Sequence, residues 1–149
     1  MGQLAIPEPS AVAMLETQRM LFSPVKDYPD FAEFVWADSI PKLLQARLIE
    51  SFENYDIAHA PLRTTDIGQA DFQLLIDVRH FQIAVDLQAA VQIGLSARIV
   101  DKNGKVVASH LFEQSQSLDK VEPPAAVAAF NDAFGRMAKD VIAWTVQAL

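Results

Sequence analysis

Few residues in this chain have the types and spacing that catalysis or metal binding requires. The three histidines, His59, His80 and His110, lie far apart, and no HxxxH, HxH or HExxH spacing occurs. A sheet could bring His80 and His110 together with Asp77 nearby, which is the one arrangement suited to a metal. Two ordinary strand histidines, hydrogen-bonded at a sheet edge, are the plainer reading. Ser109 and His110 are adjacent in a predicted strand, so they point to opposite faces and cannot act as nucleophile and base. Asp71, Asp77 and Asp86 are candidates for paired carboxylates, but carboxylates at irregular spacing are usually solvated. The five glycines make no GxGxxG and no phosphate loop, and no GxSxG elbow occurs. Without cysteine there is no disulfide, thiolate or zinc–sulfur chemistry. The expectation is a chain with no catalytic residue, no cofactor and no metal.

One tract has an unusual composition. Tyr28, Phe31, Phe34 and Trp36 crowd the stretch between Pro24 and the start of a helix. Aromatic residues dominate interface hot spots, so Tyr28, Phe31 and Phe34 are the candidate partner-binding residues. The competing reading is that the rings seal one end of a sheet as core. The two readings separate on Phe31→Glu. A rim position predicts weaker partner capture at an unchanged melting temperature, whereas burial predicts a large fall in stability. Trp36, directly before the helix cap, is expected to be buried against the first helical turn.

These residues must be held by some framework. At 149 residues a single domain spanning 1–149 is expected, able to bury roughly 70% of its extended surface. An apolar fraction of 51% is too high for a disordered chain. The net charge of −7 argues against nucleic acid and against electrostatic docking on anionic lipid. The longest stretch without a charged residue, Leu87–Ala97, has 11 residues, short of the about 20 that a membrane-spanning helix needs. The start, Met1-Gly2-Gln3, lacks a basic region followed by an apolar core, so no signal peptide is expected.

Along the chain, Leu4-Ala5-Ile6 is a short strand closed by Pro7 and Pro9, Ser10–Leu15 a helical turn, and Gln18–Ser23 a second strand. Asp38 or Ser39 caps a helix with Pro41 in its first turn and Ile40, Leu43, Leu44, Leu48, Phe52 and Tyr55 on one face. Ile57–Leu62 is a strand and Asp66-Ile67-Gly68 a turn. Asp71–Val85 is apolar on both alternating sets, which predicts a central strand with helices on each side. Ala89–Val100 alternates, with Val91, Ile93, Leu95, Ala97 and Ile99 inward and Gln92, Gly94, Ser96 and Arg98 outward. Asp101-Lys102-Asn103-Gly104 is a hairpin turn, and Lys105–Gln116 returns antiparallel. After Pro123-Pro124 a long helix carries the stripe Val127, Phe130, Phe134, Met137, Val141 and Trp144, suited to docking on the sheet or, less simply, to dimerisation. Gly135 within it costs up to about 1 kcal/mol against Ala, which suggests close packing of that turn.

Taken in order, "RMLFSP", "FVWADSIPKLLQARLIESFENY", "ADFQLLIDVRHFQI", "VQIGLSARIVDKNGKVVASHLFEQS" and "AAVAAFNDAFGRMAKDVIAW" give the chain a family look. It resembles the auxiliary lipoprotein component of ABC-type transport systems, the paraquat-inducible protein C-like family. The resemblance implies an α/β fold: a three-layer α/β/α sandwich with a mixed, largely antiparallel sheet of about five strands, similar to anticodon-binding and TolB amino-terminal domains. It implies a non-enzymatic periplasmic accessory, associated with the outer membrane through a lipid anchor. The implied partner is an MCE-type substrate-binding protein, in a system that moves lipids or other hydrophobic molecules. The lipidated cysteine of the family is not among these residues. Two further hypotheses accompany this one: a carrier holding a small apolar ligand between sheet and helix, and a hydrolase with an unfamiliar site. A homo-oligomer is also compatible with the pattern.

Overall fold

The computed structural model describes residues 3–55, 61 and 70–149. The expected strand at Ile57–Leu62 and turn at Asp66–Gly68 lie outside these residues, apart from Pro61.

The sheet is built on three long antiparallel strands, β4 (Phe72–Ala84), β5 (Ala90–Asp101) and β6 (Val106–Ser117). The amino-terminal tract supplies three two-residue strands, β1 (Leu4–Ala5), β2 (Ser10–Ala11) and β3 (Phe22–Ser23). Each pairs parallel to β4, at Leu4↔Phe72, Ser10↔Asp77 and Phe22↔Ile83. Together they act as one broken strand along the free edge of β4. Pro7 and Pro9, which cannot donate to a ladder, fall in the first gap. The six strands therefore fill four positions, in the order β1-β4-β5-β6 with β2 and β3 also on β4. The expected helical turn at Ser10–Leu15 is a 3-10 turn at Ala13–Leu15, and the expected strand at Gln18–Ser23 contracts to its last two residues.

Helix α1 (Ile40–Tyr55) buries Ile40, Leu44, Leu48 and Phe52 on the predicted stripe, while Tyr55 is exposed. Ser39 accepts from Leu43 through its carbonyl, and Asp38 accepts from the N–H of Ser39. Helix α2 (Pro123–Ala148) lays Phe130, Phe134, Met137 and Val141 on β5 and β6, so its stripe serves the sheet. Arg47 of α1 donates to Asn131 of α2 at 3.0 Å, which places both helices on the same side.

The sheet face under the helices carries Leu74, Ile76 and Val78 of β4, then Phe81 and Ile83. The switch from even to odd numbers is a β-bulge between Val78 and His80. This corrects the reading of β4 as buried on both faces with a helix on each side. Its apolar residues fall on both alternating sets because the bulge resets the alternation, not because a second helical layer covers it. Arg79 and His80, Arg98 of β5, and Ser109, Leu111 and Glu113 of β6 are exposed on the opposite face. Among the described residues the layering is thus helices on one side of an open mixed sheet, so the third layer implied by the resemblance is not found there.

The hairpin has the predicted register. Val91, Ile93, Leu95, Ala97 and Ile99 are at most 1% exposed, and Arg98 faces water. Asp101 Oδ1 accepts from the N–H groups of Asn103 and Lys105, and Gly104 takes φ +81°, the left-handed region the turn requires. Asp71 ties this turn to the amino terminus. One carboxylate oxygen lies 2.7 Å from Lys102 Nζ, and the other accepts from the N–H of Gln3 at 2.7 Å. The Lys102 hydrogen bond, then that from Gln3, holds the Asp71 carboxyl below the usual range.

Candidate functional site

The aromatic tract forms a continuous stack from surface to core. Phe22 of β3 stacks on Tyr28 at 4.4 Å and meets the edge of Phe31 at 5.2 Å. Phe31 meets Phe34, Phe34 meets Trp36, and Trp36 packs edge-on against Phe81 of β4 and Phe130 of α2, which stack on each other at 4.6 Å. Pro29 opens a 3-10 turn over Pro29–Phe31 that swings Phe31 inward, with the Phe31 N–H bonded to the Tyr28 carbonyl at 2.9 Å. The loop is closed at its base. Trp36 N–H donates to the Gln18 carbonyl at 2.7 Å, and Gln18 Nε2 donates to the Trp36 carbonyl at 3.0 Å.

Of the three candidate residues, Phe31 is 7% exposed and belongs to the core, while Tyr28 and Phe34 are half-buried and pack against it. A large loss of stability is therefore the expected effect of Phe31→Glu. Trp36 is buried as expected, but it ties the tract to β4 and α2 through its ring partners, and its Nε1 has no hydrogen-bond partner among the described residues.

Beside the stack runs an apolar groove of about 700 Å³, lined by Met14, Met20, Leu21, Phe22, Val25 and Tyr28, among others. Val25 is 88% exposed at its lip and Met14 63%. Arg19 and Lys26 also line it, and Lys26 Nζ stands 5.5 Å from the centre of the Tyr28 ring. Two methionines and an unbranched cationic stem can adapt to different apolar guests. Sequence reasoning placed Tyr28 here but missed Phe22, Met14 and Met20. Met20 and Phe22 stand two apart, as in a strand, but Met14 lies in the separate 3-10 turn, and the three meet only because the short strands fold back along β4.

The residues considered for chemistry are held apart. His80 lies on the open face, where it covers Gly94, and a Cβ at Gly94 would come within 2.9 Å of its ring. His110 lies on the helix side, its ring 4.7 Å from Phe112 and 6.1 Å from Trp144. Ser109 is on the open face, opposite His110. Asp77 accepts from Ser10 at 2.8 Å and pairs with Arg79 at 3.2 Å, while Asp71 is taken by Lys102. Among the described residues no group of three or more His, Cys, Asp or Glu side chains is placed to hold a metal. His59 lies outside the described residues.

Residues 2–142 match the family of the ABC-type transport auxiliary lipoprotein component. The chain belongs to this family. The chain matches the family from the first strand through most of α2, so the match takes in the groove and the sheet alike. It is similar to an uncharacterised protein of Bradyrhizobium diazoefficiens, 75% identical over 148 residues. That alignment covers 99% of this chain but 40% of the relative, so the chain spans less than half the length of the curated relative it matches. Among solved structures the chain is similar to a Xanthomonas campestris protein of the DUF330 family, with a TM-score of 0.83 at 24% identity, covering 99% of this chain and 85% of that one. It is also similar to PelC of Paraburkholderia phytofirmans, a dodecamer in its crystal, with a TM-score of 0.54 at 12% identity over 94% of this chain and 85% of the other. At these identities the likeness establishes the fold. No helix of the described residues is long and apolar enough to cross a membrane.

Proposed function

We propose that this domain is a non-enzymatic accessory of an ABC-type system that transports lipids or other hydrophobic molecules, acting by protein–protein contact on the periplasmic side of the outer membrane. Membership of the transport auxiliary lipoprotein family, matched over residues 2–142, carries the reading. The partner is an MCE-type substrate-binding protein, and the surface that takes it is the aromatic groove, with Tyr28 in its wall and Phe34 behind it in the stack. An apolar floor, exposed aliphatic lips and flanking cations form the composition expected of a protein-binding patch.

The groove meets solvent at a lip formed by Val25 and Met14, which suits a segment or loop of a protein better than a fully enclosed small molecule. The rival reading, a carrier holding an apolar ligand between sheet and helix, is disfavoured by the packing there. Ile93, Leu95, Met137 and Val141 fill that space and are each at most 1% exposed. Co-purification of the tagged chain with the substrate-binding protein of its transport system tests the proposal. Recovery of that protein is expected. Its absence, together with a stoichiometric lipid in native mass spectra of the chain, would favour the carrier.

A further inference from the structure

We propose that β6 pairs edge to edge with β6 of a second copy, about a twofold axis at Leu111. The free edge of this strand is well defined. The N–H of Leu118 bonds to the carbonyl of Ala89, and the β5–β6 register continues unshifted from Ala90↔Ser117 to Ile99↔Ala108. In an antiparallel ladder hydrogen-bonded pairs alternate, so even-numbered residues of β6 face β5 and odd-numbered ones face outward. Ser115 agrees, since its carbonyl accepts from Arg136 Nη2 of α2 at 2.8 Å. Among the described residues the outward backbone groups of Ser109, Leu111 and Glu113 have no partner, and β6 closes the order of the sheet.

Edges of this kind are normally protected by lysine, proline or a bulge. From Ala108 to Gln114 this one carries a single charged residue, Glu113, and its bulge lies outside that stretch, opposite Ile99 and Val100. At its centre Leu111 is 62% exposed.

The edge is complementary to itself in one register. With Leu111 on the axis, Leu111 meets Leu111 and Ser109 meets Glu113 of the second copy, each as a reciprocal hydrogen-bonded pair. Arg98 of β5 neighbours Ser109. It would then stand two strand spacings, about 10 Å between Cα atoms, from Glu113 of the other copy, with only a serine between them. The symmetry makes this contact twice. Within one copy neither Arg98 nor Glu113 has a recorded ion pair or side-chain hydrogen bond among the described residues. Shifting the register by one pleat in either direction puts Leu111 opposite Ser109, or opposite Glu113 with Ser109 against the Ser115 whose carbonyl Arg136 already holds. The outward arrangement thus specifies a second copy of this chain over an unrelated strand.

Sedimentation equilibrium over a concentration series tests the state directly, and a monomer–dimer equilibrium is expected. Arg98→Glu and Glu113→Arg should each raise the dimer dissociation constant by roughly tenfold, and the double variant should restore it. Because the chain has no cysteine, Leu111→Cys gives a second readout. A hydrogen-bonded pair on the axis sets its Cα atoms about 5.5 Å apart, within disulfide range. Mild oxidation should cross-link Leu111→Cys and leave Leu87→Cys, at a 98% exposed site, uncrosslinked. A monomer at every concentration would overturn the pairing. So would a double variant as weak as the single ones, or equal cross-linking at both cysteines.

Discussion

Gly135→Ala should stabilise the protein. Gly135 lies in the interior of α2, between buried Phe134 and exposed Arg136. A Cβ added there meets no heavy atom of the described residues within 4 Å, so the methyl neither clashes nor gains a contact. What remains is the backbone cost of holding glycine in a helix, about 0.8–1 kcal/mol relative to alanine. The close packing suggested by the sequence is thus corrected: this turn is open. For a domain of 149 residues the gain corresponds to a rise in melting temperature of about 2–4 °C. Urea unfolding followed by circular dichroism measures it, with an unchanged denaturant slope as the sign that only stability has moved. A loss of stability, or no gain, would refute the reasoning and place another part of the chain against this turn.

Leu48→Ala and Phe134→Ala should each cost roughly 2–5 kcal/mol, since Leu48 is fully buried and Phe134 nearly so; losses below about half a kcal/mol in urea melts would contradict the packing. Phe31→Glu should lower stability by about 3 kcal/mol or more, because it places a carboxylate among Phe22, Phe34 and the core, and a thermal melt close to that of the parent would return the ring to the surface. Asp71 has a folded-state pKa below its unfolded value, so its contribution is present above the ordinary carboxylate range and is lost as the pH falls through the folded value. Asp71→Asn should therefore flatten the acid limb of a stability-against-pH curve, and an unchanged limb would show that Lys102 and Gln3 do not hold the carboxylate in solution.

Much of this fold was legible because strong periodicity has one physical cause. The stripes at Leu44–Phe52 and Phe130–Val141 recur at helical spacing because one face is buried, and Val91–Ile99 alternates for the corresponding reason in a strand. Asp101–Gly104 announced its turn through a glycine that takes a positive φ. Strand β4 was harder. A single inserted residue at Arg79 moves Phe81 and Ile83 to the other alternating set, and in a bare sequence that mimics a strand buried on both faces. The amino-terminal tract was the least legible. Its strands are two residues long, too short for any period, and only pairing with β4 defines them. The aromatic site suffered from the same weakness. Composition marked Tyr28, Phe31 and Phe34, but nothing local distinguished Phe31, turned into the core by the Pro29 turn, from its half-exposed neighbours, or linked them to Phe22 and Met20.

We propose that the groove beside this stack captures a protein of the transport system. Biolayer interferometry of the chain against the MCE-type substrate-binding protein of that system tests it most directly. Val25→Glu and Tyr28→Glu are the variants to use, with Val25, 88% exposed at the lip, as the change least able to disturb the fold. Saturable binding by the parent is expected, weakened about tenfold or more by each variant, with the Val25→Glu melt unchanged. Binding equal in parent and both variants, or no binding by a folded parent, would contradict it.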